Sequence, residues 1–229
     1  MPEVIPIKLA YSRVYLVKEN GRNLIIDTGL PGKSGLLIKS LKENGVEPDD
    51  IDLVVITHVH YDHVGNLARL KEVTKAPVMV SELEAHILAE GKLMIPSGTN
   101  IFTKFLSGIG GSVVPLNLYK AVDPDILFSD FGTLKDFGFS ASLIPTPGHT
   151  SGSISVVFGS GEAFVGDTCF RVYNRKSVFP VFANDIPTLL KSWRTLLDSE
   201  AEIFYPGHGD AFNRDLLLRS YEKQIVKYG

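Results

Sequence analysis

The sequence predicts a mixed α/β fold with sheets in the interior and helices outside. Three observations carry this expectation. Short apolar runs such as IDLVVIT and GSISVVFG have the length and the Val/Ile content of buried strands. Stretches with helical spacing are interleaved with them rather than set apart. The 229 residues are 44% apolar and 21% charged, enough for a substantial core, and no linker or low-complexity stretch divides them. A single domain over residues 1–229 is therefore expected.

Along the chain, VIPIKLAYSRVYLVK and NLIIDTG read as strands around Asn20-Gly21, a strong hairpin signal. A helix is expected from Gly32 to Asn44, with Leu36, Leu37, Ser40 and Leu41 at helical spacing and Asn44-Gly45 as its stop. IDLVVIT is a buried strand that breaks into a polar cluster at residues 58–63. PVMVS follows as a strand and ELEAHILAEGKL as a helix. Beyond a breaker-rich segment at 93–119 come ILF, GFSASLIP, GSISVVFG and EAFVGD, all strand-like, with a turn at Gly159-Ser160-Gly161. A helix over about 185–198 has Asp185 as its N-cap and Pro187 in its first turn. EIFYP is the last strand and NRDLLLRSYEKQIVKYG a closing amphipathic helix.

Composition narrows the function. Net charge is −3 and the isoelectric point about 6.1, so no basic footprint for nucleic acid is present. A single cysteine, Cys169, excludes an internal disulfide and a cysteine-rich zinc finger. No apolar run approaches the ~20 residues that span a bilayer. The first residues lack a basic stretch followed by an apolar one, so a secretory signal is not expected. The expectation is a soluble, cytoplasmic protein that acts on a small molecule.

The histidines carry the chemistry. Three fall in Thr57-His58-Val59-His60-Tyr61-Asp62-His63, directly after the apolar strand. In extended chain, residues two apart point the same way, so His58 and His60 can grip one metal together. The chain then turns, and Asp62 and His63 can face a second ion. Pro147-Gly148-His149, Gly166-Asp167 and Pro206-Gly207-His208 lie at strand ends, each with a glycine that tolerates positive φ where the backbone turns into the site. A lone histidine is more often a satisfied or surface residue than a ligand, and His86, mid-helix without a partner motif, is read that way. Three imidazoles and a carboxylate within six residues are different: without a metal they repel when protonated and cost desolvation when buried.

In this order and spacing the motifs LIIDTG, THVHYDH, TPGHTSGS, VGDT and YPGHG resemble the metallo-β-lactamase superfamily over essentially the whole chain. The resemblance implies a four-layer αβ/βα sandwich with the metals at one edge. It also implies that His58, His60 and His149 hold one ion, that Asp62, His63 and His208 hold the other, and that Asp167 bridges them. Asp27 matches a supporting position and is read as a buried turn carboxylate taking backbone N–H bonds. Cys169 is read as a small buried apolar residue rather than a soft ligand. The ions are expected to be two divalent cations, zinc first, with iron or manganese as alternatives.

Two divalent ions bring four positive charges, and Asp62, Asp167 and a bridging hydroxide remove three. The remaining positive centre favours an oxyanion beside it, and Asp62 can orient the nucleophile through its second oxygen. The expected reaction is metal-assisted hydrolysis of an ester-type bond. GDTCFRVYNRK resembles the corresponding stretch of glyoxalase II-type thioesterases, with Lys176 at their substrate-binding lysine, which places a thioester first. Val178 stands where those enzymes have a tyrosine, and their C-terminal helical domain has no counterpart. Quorum-signal lactonases carry a tyrosine where this chain has Phe170, with Tyr173 three residues on as a substitute; lactones are the alternative. Single-iron persulfide dioxygenases share the histidines and form a third reading. Residues Arg171, Tyr173, Arg175 and Lys176 make a small polar cluster suited to an anionic substrate or to a solvated loop. Segment 93–119 holds one charge, Lys104, with two prolines and four glycines. It is expected to fold over the metal site as an apolar lid in which Phe102 and Phe105 meet the acyl group, a homodimer contact being the rival.

Overall fold

The computed structural model describes residues 1–94, 96–100, 103, 118–171 and 176–228, and within them the apolar runs pair into two six-stranded sheets. The first sheet follows chain order: β1 (Glu3–Leu9), β2 (Ser12–Glu19), β3 (Arg22–Ile26), β4 (Leu53–Val55), β5 (Val78–Ser81) and β6 (Ile126–Phe128). It is antiparallel from β1 to β3 and parallel from β3 to β6. The second sheet contains β7 (Gly132–Thr133), β8 (Ala141–Pro145), β9 (Ile154–Phe158), β10 (Glu162–Arg171), β11 (Ile203–Gly209) and β12 (Phe212–Asn213), again as sequential neighbours. Only β10 and β11 run parallel there, joined by the crossover helix that the sequence places at about 185–198.

Helices cover the outer face of each sheet. Against the first lie α1 (Ser34–Glu43), the single-turn α2 (Tyr61–Val64), α3 (Leu67–Thr74) and α4 (Glu82–Glu90); against the second lie α5 (Ile186–Asp198) and α6 (Arg214–Tyr228). Strand alternation explains how both faces are filled. Leu16, Ile25, Val54 and Val80 point to the core under α1, α3 and α4, whereas Val17, Leu24, Val55 and Met79 point between the sheets. From the other sheet, Phe139, Leu143, Val156, Phe158 and Phe164 meet that middle layer, and Val157, Val165 and Phe204 face Trp193, Leu196 and Leu217 on α5 and α6. The layers therefore stack helix, sheet, sheet, helix, as the αβ/βα expectation requires.

Most sequence boundaries hold. Asn20 (φ 53°) and Gly21 (φ 75°) make the predicted hairpin turn with both central residues left-handed. Asp185 caps α5 by accepting the Thr188 N–H at 3.0 Å. A second hairpin turn, at Ala10-Tyr11, divides the first strand-like stretch. In α1 the buried stripe is Leu37 and Leu41, while Leu36 faces solvent at 53% exposure. Helix α3 and the two-residue strands β7 and β12 lack an apolar run long enough to announce them. Among the described residues no helix is long and apolar enough to cross a membrane.

Most of the 93–119 segment, including Phe102 and Phe105, lies outside the described residues. Its flanks are anchored: Thr99 N–H donates to the Val181 carbonyl and Ala183 N–H to the Ser97 carbonyl, while the Tyr119 hydroxyl donates to the Lys92 carbonyl beyond α4.

Candidate metal centre

The sandwich brings the polar motifs to one edge. His58 and His60 follow β4 where its apolar run ends, Asp62 and His63 occupy α2, His149 lies in the loop after β8, and Asp167 and His208 sit on β10 and β11. All are buried. One donor atom from each of His58, His60, His149 and Asp167 falls within a common 4.8 Å, and so do those of Asp62, His63 and His208.

Asp167 stands between the two groups. Its Oδ2 is 3.4 Å from both His149 Nε2 and His208 Nε2, and its Oδ1 is 3.3 Å from His63 Nε2. Asp62 Oδ2 meets His208 Nε2 at 3.3 Å. The far nitrogens are fixed from outside. His149 Nδ1 donates to the Phe182 carbonyl and His208 Nδ1 to the Tyr11 carbonyl, each at 3.0 Å; His63 Nδ1 pairs with Asp27 Oδ2 at 2.8 Å. Each of these bonds leaves Nε2 facing the cluster.

The glycines serve by two means. Gly148 (φ 126°) and Gly166 (φ 47°) have the positive φ expected of them. Gly207 does not: it lies in β11 and is required for closeness, because an added Cβ would stand 2.4 Å from Asp167 Oδ1 and 2.5 Å from His63 Cε1. Asp27, itself left-handed at φ 61°, does more than tie a turn. It accepts the Thr57 N–H at 2.8 Å, as expected, and also holds the His63 ring.

Charge and burial oppose each other here. Burial raises the Asp167 carboxyl, but His208 and His63 more than offset this and hold it well below the usual carboxylate range. Burial lowers His208, yet Asp167 and Asp62 bring it up to about 10. Burial and the neighbouring His149 push His60 down to about 3, and burial likewise lowers His58 and His149. Buried His58 Nε2, His60 Nε2, His63 Nε2 and Asp167 Oδ1 have no hydrogen-bond partner among the described residues. Leaving such groups unsatisfied costs about 1–3 kcal/mol each, and a divalent ion with nitrogen and oxygen donors removes that cost. The donor set fits metal.

Around this cluster, Phe170 lies 4.7 Å from the His208 ring and 6.1 Å from that of His149, centroid to centroid. Cys169 is buried in the core beneath α5, as expected, with burial pushing its thiol well up. His86 is exposed on α4, away from both groups. Lys176 is exposed at the turn leading to Val178, which is itself fully buried. Arg171 donates to the Ala211 carbonyl, and Tyr173 and Arg175 lie outside the described residues.

Two neighbours were not legible beforehand. The Tyr11 ring stacks on His208 at 5.7 Å and its hydroxyl bonds that of Tyr61 at 2.8 Å. Glu84 is a carboxylate buried behind the histidines. A helical wheel through Ile87 and Leu88 would have placed Glu84 on the inner face of α4, whereas no periodicity marks Tyr11.

Fold and site together define a class: an αβ/βα sandwich whose sheet edge carries a buried histidine–aspartate group able to bind metal. The chain belongs to the metallo-beta-lactamase superfamily, whose family model matches residues 8–208. A protein of Methanocaldococcus jannaschii named as a probable metallo-hydrolase is 30% identical over 214 residues, covering 90% of each chain. The hydroxyacylglutathione hydrolase GloC of Haemophilus influenzae is 29% identical over 212 residues, again covering 90% of both. Among solved structures, the BLEG-1 B3 metallo-beta-lactamase superposes with a TM-score of 0.72 over 96% of this chain and 97% of its own, at 23% identity, a likeness of fold.

Proposed function

We propose that the protein is a dinuclear metal-dependent hydrolase that cleaves an ester-type bond, with thioesters as its first substrate class. The observation that carries this reading is the set of buried histidine and aspartate atoms that lack hydrogen-bond partners among the described residues. In this reading His58, His60 and His149 hold one ion, Asp62, His63 and His208 the other, and Asp167 serves both. Zinc suits these donors, with iron or manganese as alternatives. Bound ions would supply a hydroxide nucleophile near neutral pH and polarise the substrate carbonyl.

The side chains perform the remaining tasks. Asp62 would hold the second ion through one oxygen and has the other left to accept a proton from the attacking water and orient it. Phe170 keeps solvent from the side of His149 and His208. Lys176, with Tyr173, is assigned to the anionic end of the substrate. The likeness to a hydroxyacylglutathione hydrolase supports a thioester. Val178 sits in the core where glyoxalase II-type enzymes are expected to carry a contacting tyrosine, which supports a thioester other than theirs.

The test is metal analysis of protein purified without added metal, paired with a panel of thioesters, lactones and phosphoesters. Two zinc ions per chain with thioester turnover are expected. One iron per chain with oxygen consumption would overturn the reading.

A further inference from the structure

Glu84 is a buried carboxylate that the proposed reaction does not use. It lies in the first turn of α4, 2% exposed, behind the histidine cluster. Its Oε2 accepts the Val59 N–H at 2.5 Å and its Oε1 the Gly152 N–H at 3.2 Å. Val59 is the residue between His58 and His60, and Gly152 follows His149 in its loop. The approach at Gly152 is close: a Cβ there would stand 2.6 Å from Glu84 Cγ. Among the described residues, the donors to this carboxylate thus come from the two loops that carry the first histidine group. Asp62, His63 and His208 sit on α2 and β11, which contribute none of them.

We infer that Glu84 is a positioning residue, whose carboxylate clamps the His58–His60 loop to the His149 loop and so sets the first ligand group while leaving the second alone. Burying a carboxylate is costly unless donors converge on it, and here a backbone N–H from each loop meets a different oxygen. Only an acceptor with two free oxygens can serve loops on both sides. An amide of the same shape turns an NH2 toward a backbone N–H and leaves that donor unpaired. The inference rests on the metal reading, and its test separates the two.

Co2+ titration, followed by its visible spectrum, is made in two single-group backgrounds: His208→Ala, which retains the first group, and His149→Ala, which retains the second. Adding Glu84→Gln is expected to weaken Co2+ binding about 10- to 100-fold in the first background, as loss of an outer-shell partner does, and to leave the second unchanged. Equal losses in both backgrounds, or none in the first, would overturn the inference. A chain without these substitutions that takes up no Co2+ would sink the metal reading itself. Glu84→Asp, which keeps the charge but withdraws it by one methylene, carries the same comparison should the amide variant fail to fold. If neither folds, Glu84 is a structural residue and the inference fails.

Discussion

Asp167 is the residue on which both ligand groups converge, with three histidine nitrogens within 3.4 Å of its carboxylate. Removing it takes away a carboxylate that reaches histidines of both groups and the negative charge between them. Asp167→Ala is expected to abolish turnover and to lower metal content toward one ion per chain, read by elemental analysis; two retained ions with normal activity would exclude a bridging role. Asp27 shows how a neighbour reaches the same centre without touching it. Its left-handed backbone and its bond to His63 Nδ1 coexist because a short polar side chain tolerates φ near 61°. Asp27→Asn keeps the backbone at ease but turns a charged acceptor into a neutral one. A loss of about 10- to 100-fold in metal affinity is expected by calorimetric titration.

At the scale of elements, the His149 loop is pressed between β8 and α5. Gly148 has φ 126° and meets α5 so closely that an added Cβ would stand 2.4 Å from the Leu189 backbone. Gly148→Ala must therefore displace the first turn of α5. A loss of about 1–3 kcal/mol is expected in urea denaturation, the usual cost of overpacking, with strain from the positive φ added to it. Segment 93–119 is the other element with a functional claim. Its described anchors at Ser97 and Thr99 join the strip around Phe182, whose carbonyl accepts from His149 Nδ1. Replacing Phe102 and Phe105 by alanine is expected to raise KM for long-chain acyl substrates far more than for short ones. An unchanged chain-length preference with conversion of a dimer to monomer would mark the segment as an interface.

For the whole molecule, metal and fold are linked. The candidate ligands come from the loop after β4, α2, the loop after β8, β10 and β11, so the site draws on both sheets. Ions bound here would hold the layers together at one edge, while the Tyr15 hydroxyl, bonded to the Pro206 carbonyl at 2.6 Å, ties them in the interior. Chelation is expected to lower Tm reversibly. Free metal at 100 times Kd contributes about 2.7 kcal/mol, a loss that calorimetry with and without chelator would resolve. An unchanged Tm would mean that the edge does not depend on bound metal.

Local chemistry made much of this protein legible in its sequence. The hairpin at Asn20-Gly21 and the cap at Asp185 are decided by a few adjacent residues, and the tertiary fold had no reason to override them. The histidine and aspartate motifs were legible because so many metal-binding side chains at that spacing have no cheap structural use. Which face each strand residue takes was not legible, since both faces of each sheet are buried and IDLVVIT carries no polar alternation to tell them apart. Gly207 was misread as a turn glycine, because its need arises from Asp167 and His63, side chains 40 and 144 residues away in sequence. Glu84 and Tyr11 acquire their places only through contacts across the fold. Sequence alone determined the family and singled out the histidines and aspartates that gather at one edge; the tertiary structure decided which groups hold them in place, because that depends on distances between segments that no local pattern encodes.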